Sequence, residues 1–283
     1  MLTTGSPLSI ARAIYRRAMA PLGIYKLQRM LEDGLPQPFQ TPLEFLFARG
    51  LSPEARQAVN RVELIRSAVA RQTRLFEVAH SDSENPRRTA AQIAYRSSVT
   101  SEWGTFLYLC AEAFKSRTML ELGSCAGISG CYLASSRYFT RFITVEGSSS
   151  LASLAKSNTG QISDRVEVVN ALFDDALDQI LPTVRDGIDL AYIDGHHEYE
   201  ATLHYFRRLE SYLNEGALVV FDDVHWSNGM WRAWQVLKEQ EGFADTIDVG
   251  RLGICLWKGG AVLPIHHDLR PYVGWLRKVS AST

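Results

Sequence analysis

The chain has 283 residues, enough for one large or two small domains around a substantial core. With 30 basic and 31 acidic residues its formal net charge is −1, so the overall charge does not draw it to nucleic acid. Cys110, Cys125, Cys131 and Cys255 show no CxxC spacing and read as free thiols of a reducing compartment. No apolar run reaches the ~18 residues of a membrane-spanning helix, and no apolar core with a small-residue cleavage site opens the chain, so a cytoplasmic protein without a transmembrane segment is expected.

The first 31 residues hold Arg12, Arg16, Arg17, Lys26 and Arg29 and no acid. Leu8, Ala11, Tyr15, Ala18, Leu22 and Tyr25 recur at helical spacing, and Pro21 is expected to kink or end that helix. A basic amphipathic segment can lie on an anionic membrane surface or guide import. The preferred reading is a helix packed on its own domain, its basic face solvated. Residues 34–51, with Pro36, Pro38 and Pro42, read as a linker with at most a short helix at 43–48. Ser52, Pro53 and Glu54 then supply an N-cap, a first-turn proline and an early acid. They predict a long helix to about residue 79, with Val59, Val62, Ile65, Val69 and Phe76 among its apolar positions and the polar tract 80–88 closing it. Residues 1–98 are thus expected to be a helical extension or cap, a candidate dimerisation arm. Thr100 caps a further helix ending near residue 115.

The apolar run 118–122 then breaks into a turn carrying Gly123 and Gly127, and a helix-compatible segment, 128–135, follows: strand, tight loop, helix. Such a junction leaves backbone N–H groups unpaired at the helix start, and glycines let a ligand approach the backbone, which suits a nucleotide-like molecule. Glycines at 123, 127 and 130 do not fit the GxGxxG spacing of dinucleotide enzymes, which argues against a nicotinamide cofactor. A second apolar run, 142–145, ends in Glu146. A carboxylate at the tip of the second strand can accept hydrogen bonds from both hydroxyls of a ribose.

On the run Leu120, Glu121, Leu122, Gly123 to Gly127, and on Thr144, Val145, Glu146, Gly147, the sequence resembles the class I S-adenosylmethionine-dependent methyltransferases. It is most similar to the catechol O-methyltransferase branch and the related metal-dependent sugar and natural-product O-methyltransferases. The resemblance covers roughly residues 99–258. It implies an α/β, Rossmann-like fold with a mostly parallel seven-stranded sheet flanked by helices, here with an N-terminal helical extension, a catalytic domain over 99–260 and a tail over 261–283. It implies S-adenosyl-L-methionine as cofactor, with Glu121, Gly123, Ser124, Gly127, Glu146, Gly147 and Asp194 around it. The helix before the first strand would help to cover that cofactor, which makes Trp103 and Gly104 pocket candidates. In the run 170–174, Ala171 and Phe173 would neighbour the adenine, while Asp174 could equally cap a helix at 176–181.

The remaining elements are a helix at 149–158, strands at 166–169 and 188–193, a helix at 199–213, a turn at 214–216 and a strand at 217–221. A helix at 230–240 and antiparallel strands at 246–249 and 253–257, joined at Gly250, Arg251 and Leu252, complete the sheet. The last stretch, with His266, His267, Arg270 and Trp275, carries no motif. Ligands of open parallel sheets bind beyond the carboxyl ends of the strands, so the strand tips converge on one mouth.

Asp194, Asp222 and Asp223 fall at such tips, and three close carboxylates repel one another unless a positive charge lies between them. Hard oxygen ligands with no cysteine nearby point to Mg2+, Mn2+ or Ca2+ over zinc. The catechol enzymes carry Asp and then an Asp-Asn pair at these positions; the Asp-Asp pair here is closer to the sugar enzymes. The same resemblance places the base three residues after the first Asp, a lysine in catechol enzymes and a histidine in sugar enzymes, which is His197 here. A histidine near its ordinary pKa accepts a proton at neutral pH, and His196 and His225 are rivals on the same rim. Against this, Asp194 and Asp222 could cap helices or bind loop N–H groups, and the histidines could be surface residues. Trp226, Met230 and Trp231 could floor a substrate pocket or pack the core.

These readings converge on an S-adenosylmethionine-dependent O-methyltransferase that uses Mg2+ or another hard divalent cation and acts on a hydroxyl of a sugar, phenol or natural product. The alternatives are a metal-independent N- or C-methyltransferase and a non-catalytic S-adenosylmethionine-binding scaffold whose N-terminal helix binds a membrane or a partner. No nucleic-acid partner is expected, and the N-terminal helices are candidates for a homo-oligomer contact.

Overall fold

The computed structural model describes residues 7–78 and 87–274. Its first helix, α1 (Pro7–Glu32), runs through Pro21 without a break. The hydrogen bond lost at the proline is offset by packing: Gly23 brings the helix backbone against the ring of Phe47, where a Cβ would sit only 2.8 Å from ring carbons. Leu27 and Met30 are buried, whereas Tyr15, Leu22 and Tyr25 of the expected apolar stripe are exposed. The helix therefore packs through a different face from the one its spacing suggested.

The supposed linker is also packed structure. A 3₁₀ turn (Gln37–Phe39) leads into α2 (Gln40–Ala48), and Phe39, Leu43, Phe45, Leu46 and Phe47 are all buried. The prolines begin these turns, where an N–H would have had no partner in any case. Next, α3 (Pro53–Ala70) is capped by Ser52, whose Oγ accepts the Ala55 N–H at 3.2 Å. It stops at Ala70, well short of residue 79. Phe76 lies instead in β1 (Leu75–Glu77), buried between two exposed neighbours, and β1 pairs antiparallel with β2 (Arg87–Thr89). An exposed–buried–exposed pattern is that of a strand, which a lone phenylalanine did not reveal. Most of the polar tract 80–88 lies outside the described residues. A capping box of Thr89 and Gln92 opens α4 (Ala90–Gln92), which passes into a π-helical turn (Ile93–Ser97) and then α5 (Ser101–Ala113).

From here strand and helix alternate: β3 (Thr118–Leu122), α6 (Ile128–Leu133), β4 (Arg141–Val145), α7 (Ser149–Thr159), β5 (Val166–Val169), α8 (Phe173–Ile180), β6 (Ile188–Ile193), α9 (Tyr199–Leu209), β7 (Leu213–Phe221), α10 (Asn228–Leu237), β8 (Phe243–Asp248), β9 (Gly253–Trp257) and β10 (Ile265–Asp268). The main sheet has the order β10-β8-β9-β7-β6-β3-β4-β5. Strands β5, β4, β3, β6 and β7 are mutually parallel, and β9 is inserted antiparallel between β7 and β8. The expected turn at 214–216 is part of β7, whose longer start is absorbed by a register shift against β6. An eighth strand, β10, adds to the seven expected and pairs parallel with β8. It is an edge strand with mostly exposed side chains, so no apolar run announces it. Trp275 lies outside the described residues.

Both faces of the sheet are buried, which explains the near-continuous apolar runs of its strands. Along β6, Leu190 and Tyr192 join the core shared with α1, α2, α3, α5 and α6, while Ala191 and Ile193 face α8, α9 and α10. Leu218 and Val220 of β7 divide from Val219 and Phe221 in the same way. The N-terminal helices thus share one hydrophobic core with the sheet.

Candidate active site

The sheet ladder continues one residue past the strand ends and ties the tips to one another. Gly123 and Ser124 N–H both donate to the Val145 carbonyl at 3.0 Å, Glu146 N–H to Val169, Asp194 N–H to Leu122 at 2.9 Å, and Asp222 N–H to Ile193 at 3.0 Å. The turns after β3, β4, β6 and β7 are therefore side by side.

The turn after β3 needs unusual backbone. Gly123 has φ +103°, and a Cβ there would lie 1.9 Å from the Asp194 carbonyl oxygen, so this position admits only glycine without a shift of one tip. Cys125 and Gly127 also have positive φ, at 48° and 72°, and the Asn158 amide holds the Ala126 carbonyl at 2.8 Å. Beneath the loop Glu121 is wholly buried; Thr144 Oγ1 donates to its Oε2, and Ser124 Oγ closes the chain of hydroxyls on Thr144. Burial pushes the Glu121 carboxyl up to about 7. The structure thus places Glu121 as a foundation of the loop.

Glu146 stands against the same loop. Its Oε2 accepts the Cys125 N–H at 2.8 Å and its Oε1 the Ser148 N–H at 2.9 Å. Burial raises its pKa, and the amide hydrogen bonds work in the opposite direction. Asn170, which no motif singled out, donates to the carbonyls of Glu146 and Gly147 at 2.7 and 3.2 Å and so fixes the turn after β4. Ala171 follows it. The Phe173 ring lies 5.4 Å from the His196 ring and 5.3 Å from the Tyr205 ring, and a Cβ on Gly195 would meet it at 2.4 Å, so it abuts the turn after β6. Asp174 caps nothing; it pairs with His204 at 2.7 Å and Arg208 at 3.2 Å. Gly104, expected at a pocket, is a packing contact, since a Cβ there would come within 2.2 Å of the Tyr132 ring.

The three aspartates come together as expected, but their counter-charge is an arginine. Arg251 grips Asp222 with two parallel bonds, Nε to Oδ1 and Nη2 to Oδ2, both 2.7 Å, and its Nε lies 3.5 Å from Asp223 Oδ1. Tyr192 OH donates to Asp222 Oδ2 at 2.8 Å and reaches Asp194 Oδ2 at 3.2 Å. Burial pushes Asp222 up, but the Arg251 charge and hydrogen bonds, helped by Tyr192, bring it below its ordinary value. Asp194 is pushed well above the carboxylate range by burial and by Asp222, and Asp223 rises to about 7 for the same two reasons. Among the described residues no group of three His, Cys, Asp or Glu side chains is arranged to hold a metal ion. A carboxylate whose oxygens already serve a guanidinium, a phenol and an amide does not fit a hard divalent ion. Mg2+ on Asp194, Asp222 and Asp223, the expectation from the sequence, is not shown: Arg251 and Tyr192 already occupy the Asp222 oxygens.

His197 faces the cluster, its Nε2 3.5 Å from Asp194 Oδ1. Burial lowers its pKa, which keeps it neutral and able to accept a proton. His196 turns its Nδ1 to the Tyr205 hydroxyl at 2.6 Å, and His225 pairs with Asp248 at 2.8 Å beside the Trp231 ring. Met230 is core, and Trp226 is 75 % exposed on the rim after Asp223. Arg251 and Tyr192 were not legible beforehand: one looked like a hairpin-turn residue, the other like strand core. A groove lined by Ser52, Glu54, Arg61, Glu112 and Arg137 belongs to the helical side and includes none of the strand-tip residues.

A parallel sheet that takes one antiparallel strand near its end, and opens a glycine turn beside an acid on the next strand, is the arrangement of class I methyltransferases. Comparison with known proteins agrees. Residues 120–224 match a family described as a methyltransferase domain. The chain is 32% identical over 185 residues to a catechol O-methyltransferase of Mycobacterium tuberculosis, covering 59% of this chain and 80% of that one. Among solved structures, an O-methyltransferase from Bacillus cereus in complex with SAH superposes with a TM-score of 0.52 at 22% identity, over 71% of this chain and 91% of that one. Cofactor-bound Rv0187 from M. tuberculosis superposes with a TM-score of 0.50 at 23% identity, over 80% and 100%. Both share the fold. This chain belongs to the S-adenosylmethionine-dependent O-methyltransferases, and S-adenosylmethionine is its cofactor. No helix among the described residues is long and apolar enough to cross a membrane.

Proposed function

We propose that the enzyme methylates a hydroxyl of a small molecule, with His197 as the base. The observation that carries this reading is the placement of His197 Nε2 3.5 Å from Asp194, on the turn whose backbone touches Gly123. Base and cofactor loop are thereby fixed on adjacent strand tips. The catechol O-methyltransferase relative supports oxygen as the acceptor atom.

Bound S-adenosylmethionine supplies an already activated methyl group, so positioning and proton removal are what remain for the protein. Gly123, Ser124 and Gly127 give the cofactor a close backbone surface, Glu146 faces its ribose, and Ala171 and Phe173 flank its adenine. Gly147 shapes the turn that presents Glu146. Asp194 orients His197, which takes the acceptor's proton.

The test is turnover of methyl-labelled S-adenosylmethionine against a panel of sugars, phenols and polyketide-type hydroxy compounds, with the same compounds lacking the hydroxyl as controls. Label is expected in an ether on at least one hydroxylated class. Label found only on nitrogen or carbon would overturn the proposal.

A further inference from the structure

We propose that Arg251 permanently takes the place of a divalent cation in the Asp194, Asp222 and Asp223 cluster, so that this enzyme transfers its methyl group without a metal. This deepens the reading above and rests on it.

An ionised carboxylate has about four acceptor positions. Those of Asp222 are filled: Arg251 Nε and the Asp223 N–H reach Oδ1 at 2.7 Å each, while Arg251 Nη2 and Tyr192 OH reach Oδ2 at 2.7 and 2.8 Å. A magnesium ion demands near-octahedral oxygen ligands at about 2.0–2.1 Å. It would have to displace the guanidinium and would meet its like charge while doing so.

The arginine is also held at this place by its backbone. The Val224 N–H, just past the acids, donates to the Arg251 carbonyl at 3.1 Å, and Asp248 Oδ1 accepts the Gly250 N–H at 2.8 Å, bracing a turn in which Gly250 has φ +92°. Asp222 is fully buried, and a bidentate guanidinium bond to a buried carboxylate is among the stronger pairings a side chain can make. One fixed positive charge thus does the electrostatic work that the three acids require. In the transfer step the acceptor oxygen gives its proton to His197 and takes the methyl group, and the sulfur keeps the electron pair of the broken bond. The step balances with no further reactant.

Mn2+ binding, followed by paramagnetic resonance and calorimetry with Mn2+ alone, tests this apart from activity. The wild-type protein should retain no Mn2+ at this cluster. Arg251→Ala should bind one Mn2+ at least ~100-fold more tightly than wild type, and adding Asp223→Asn should abolish that gain. One Mn2+ bound by the wild type and removed by Asp223→Asn alone would overturn the proposal, and this pair decides even if Arg251→Ala does not fold. A folded Arg251→Ala that gains no Mn2+ would overturn it too. S-adenosylhomocysteine binding to the wild type is measured alongside: its failure would count against the methyltransferase reading, whatever the Mn2+ result.

Discussion

Glu121 offers a quantitative test of how the cofactor loop is supported. Its carboxyl is fully buried, and burial raises its pKa from 4.5 to about 7. Between those values the unfolded chain releases the proton and the folded chain keeps it, so folding stability falls as pH rises through this window and levels off above it. At about 1.4 kcal/mol per pH unit the whole loss is about 3 kcal/mol, of which about 2.5 kcal/mol falls between pH 5 and pH 8. Glu121→Gln removes the titration while its side-chain oxygen can still accept from Thr144. Any packing cost of the new amide is the same at every pH and cancels in the comparison. Urea unfolding of wild type and variant at pH 5, 6, 7 and 8 should therefore show the difference between them shifting by about 2.5 kcal/mol in favour of the variant as pH rises. Parallel stability curves would refute the idea that a protonated acid underlies the loop.

Four further outcomes follow from the site and its packing. Gly123→Ala should weaken S-adenosylhomocysteine binding at least ~10-fold by calorimetry, because its Cβ cannot share space with the Asp194 carbonyl; unchanged affinity would sink the assigned role of the loop. His197→Gln should lower kcat by ~100-fold or more while leaving S-adenosylhomocysteine affinity within about twofold. Because burial lowers the His197 pKa, wild-type kcat/KM should hold steady as pH falls through the ordinary histidine range near 6.5 and drop only below it; a decline beginning above that range would assign the base elsewhere. Gly104→Ala should cost about 1–3 kcal/mol in thermal or urea unfolding, since Tyr132 must move to admit the methyl group, and a neutral substitution would contradict the tight α5–α6 contact.

Strands β3, β4 and β6 were readable from the sequence because burial on both faces writes them as nearly continuous apolar runs. Edge elements leave no such trace: β10 is held by backbone pairing to β8, and β1 shows one buried phenylalanine. Prolines misled in the N-terminal third, where Pro21 sits inside a helix and Pro36, Pro38 and Pro42 accompany packed turns, because tertiary burial overrode local preference. In the site, the need for a positive charge among Asp194, Asp222 and Asp223 was legible from their repulsion. Its carrier was not, since Arg251 meets Asp222 only through the pairing of β7 with β9. Asn158 and Asn170 escaped notice for a similar reason: each acts by bracing a carbonyl in a turn distant in sequence.

The central claim is that the tips of β3 and β4 hold the cofactor. Backbone hydrogen exchange with and without S-adenosylhomocysteine tests it most directly, because protection reports where the ligand orders the chain. Peptides spanning residues 121–130 and 144–149 should gain protection on binding. Binding that protects the helical groove around Arg61 and Arg137 and leaves those peptides unchanged would contradict the account.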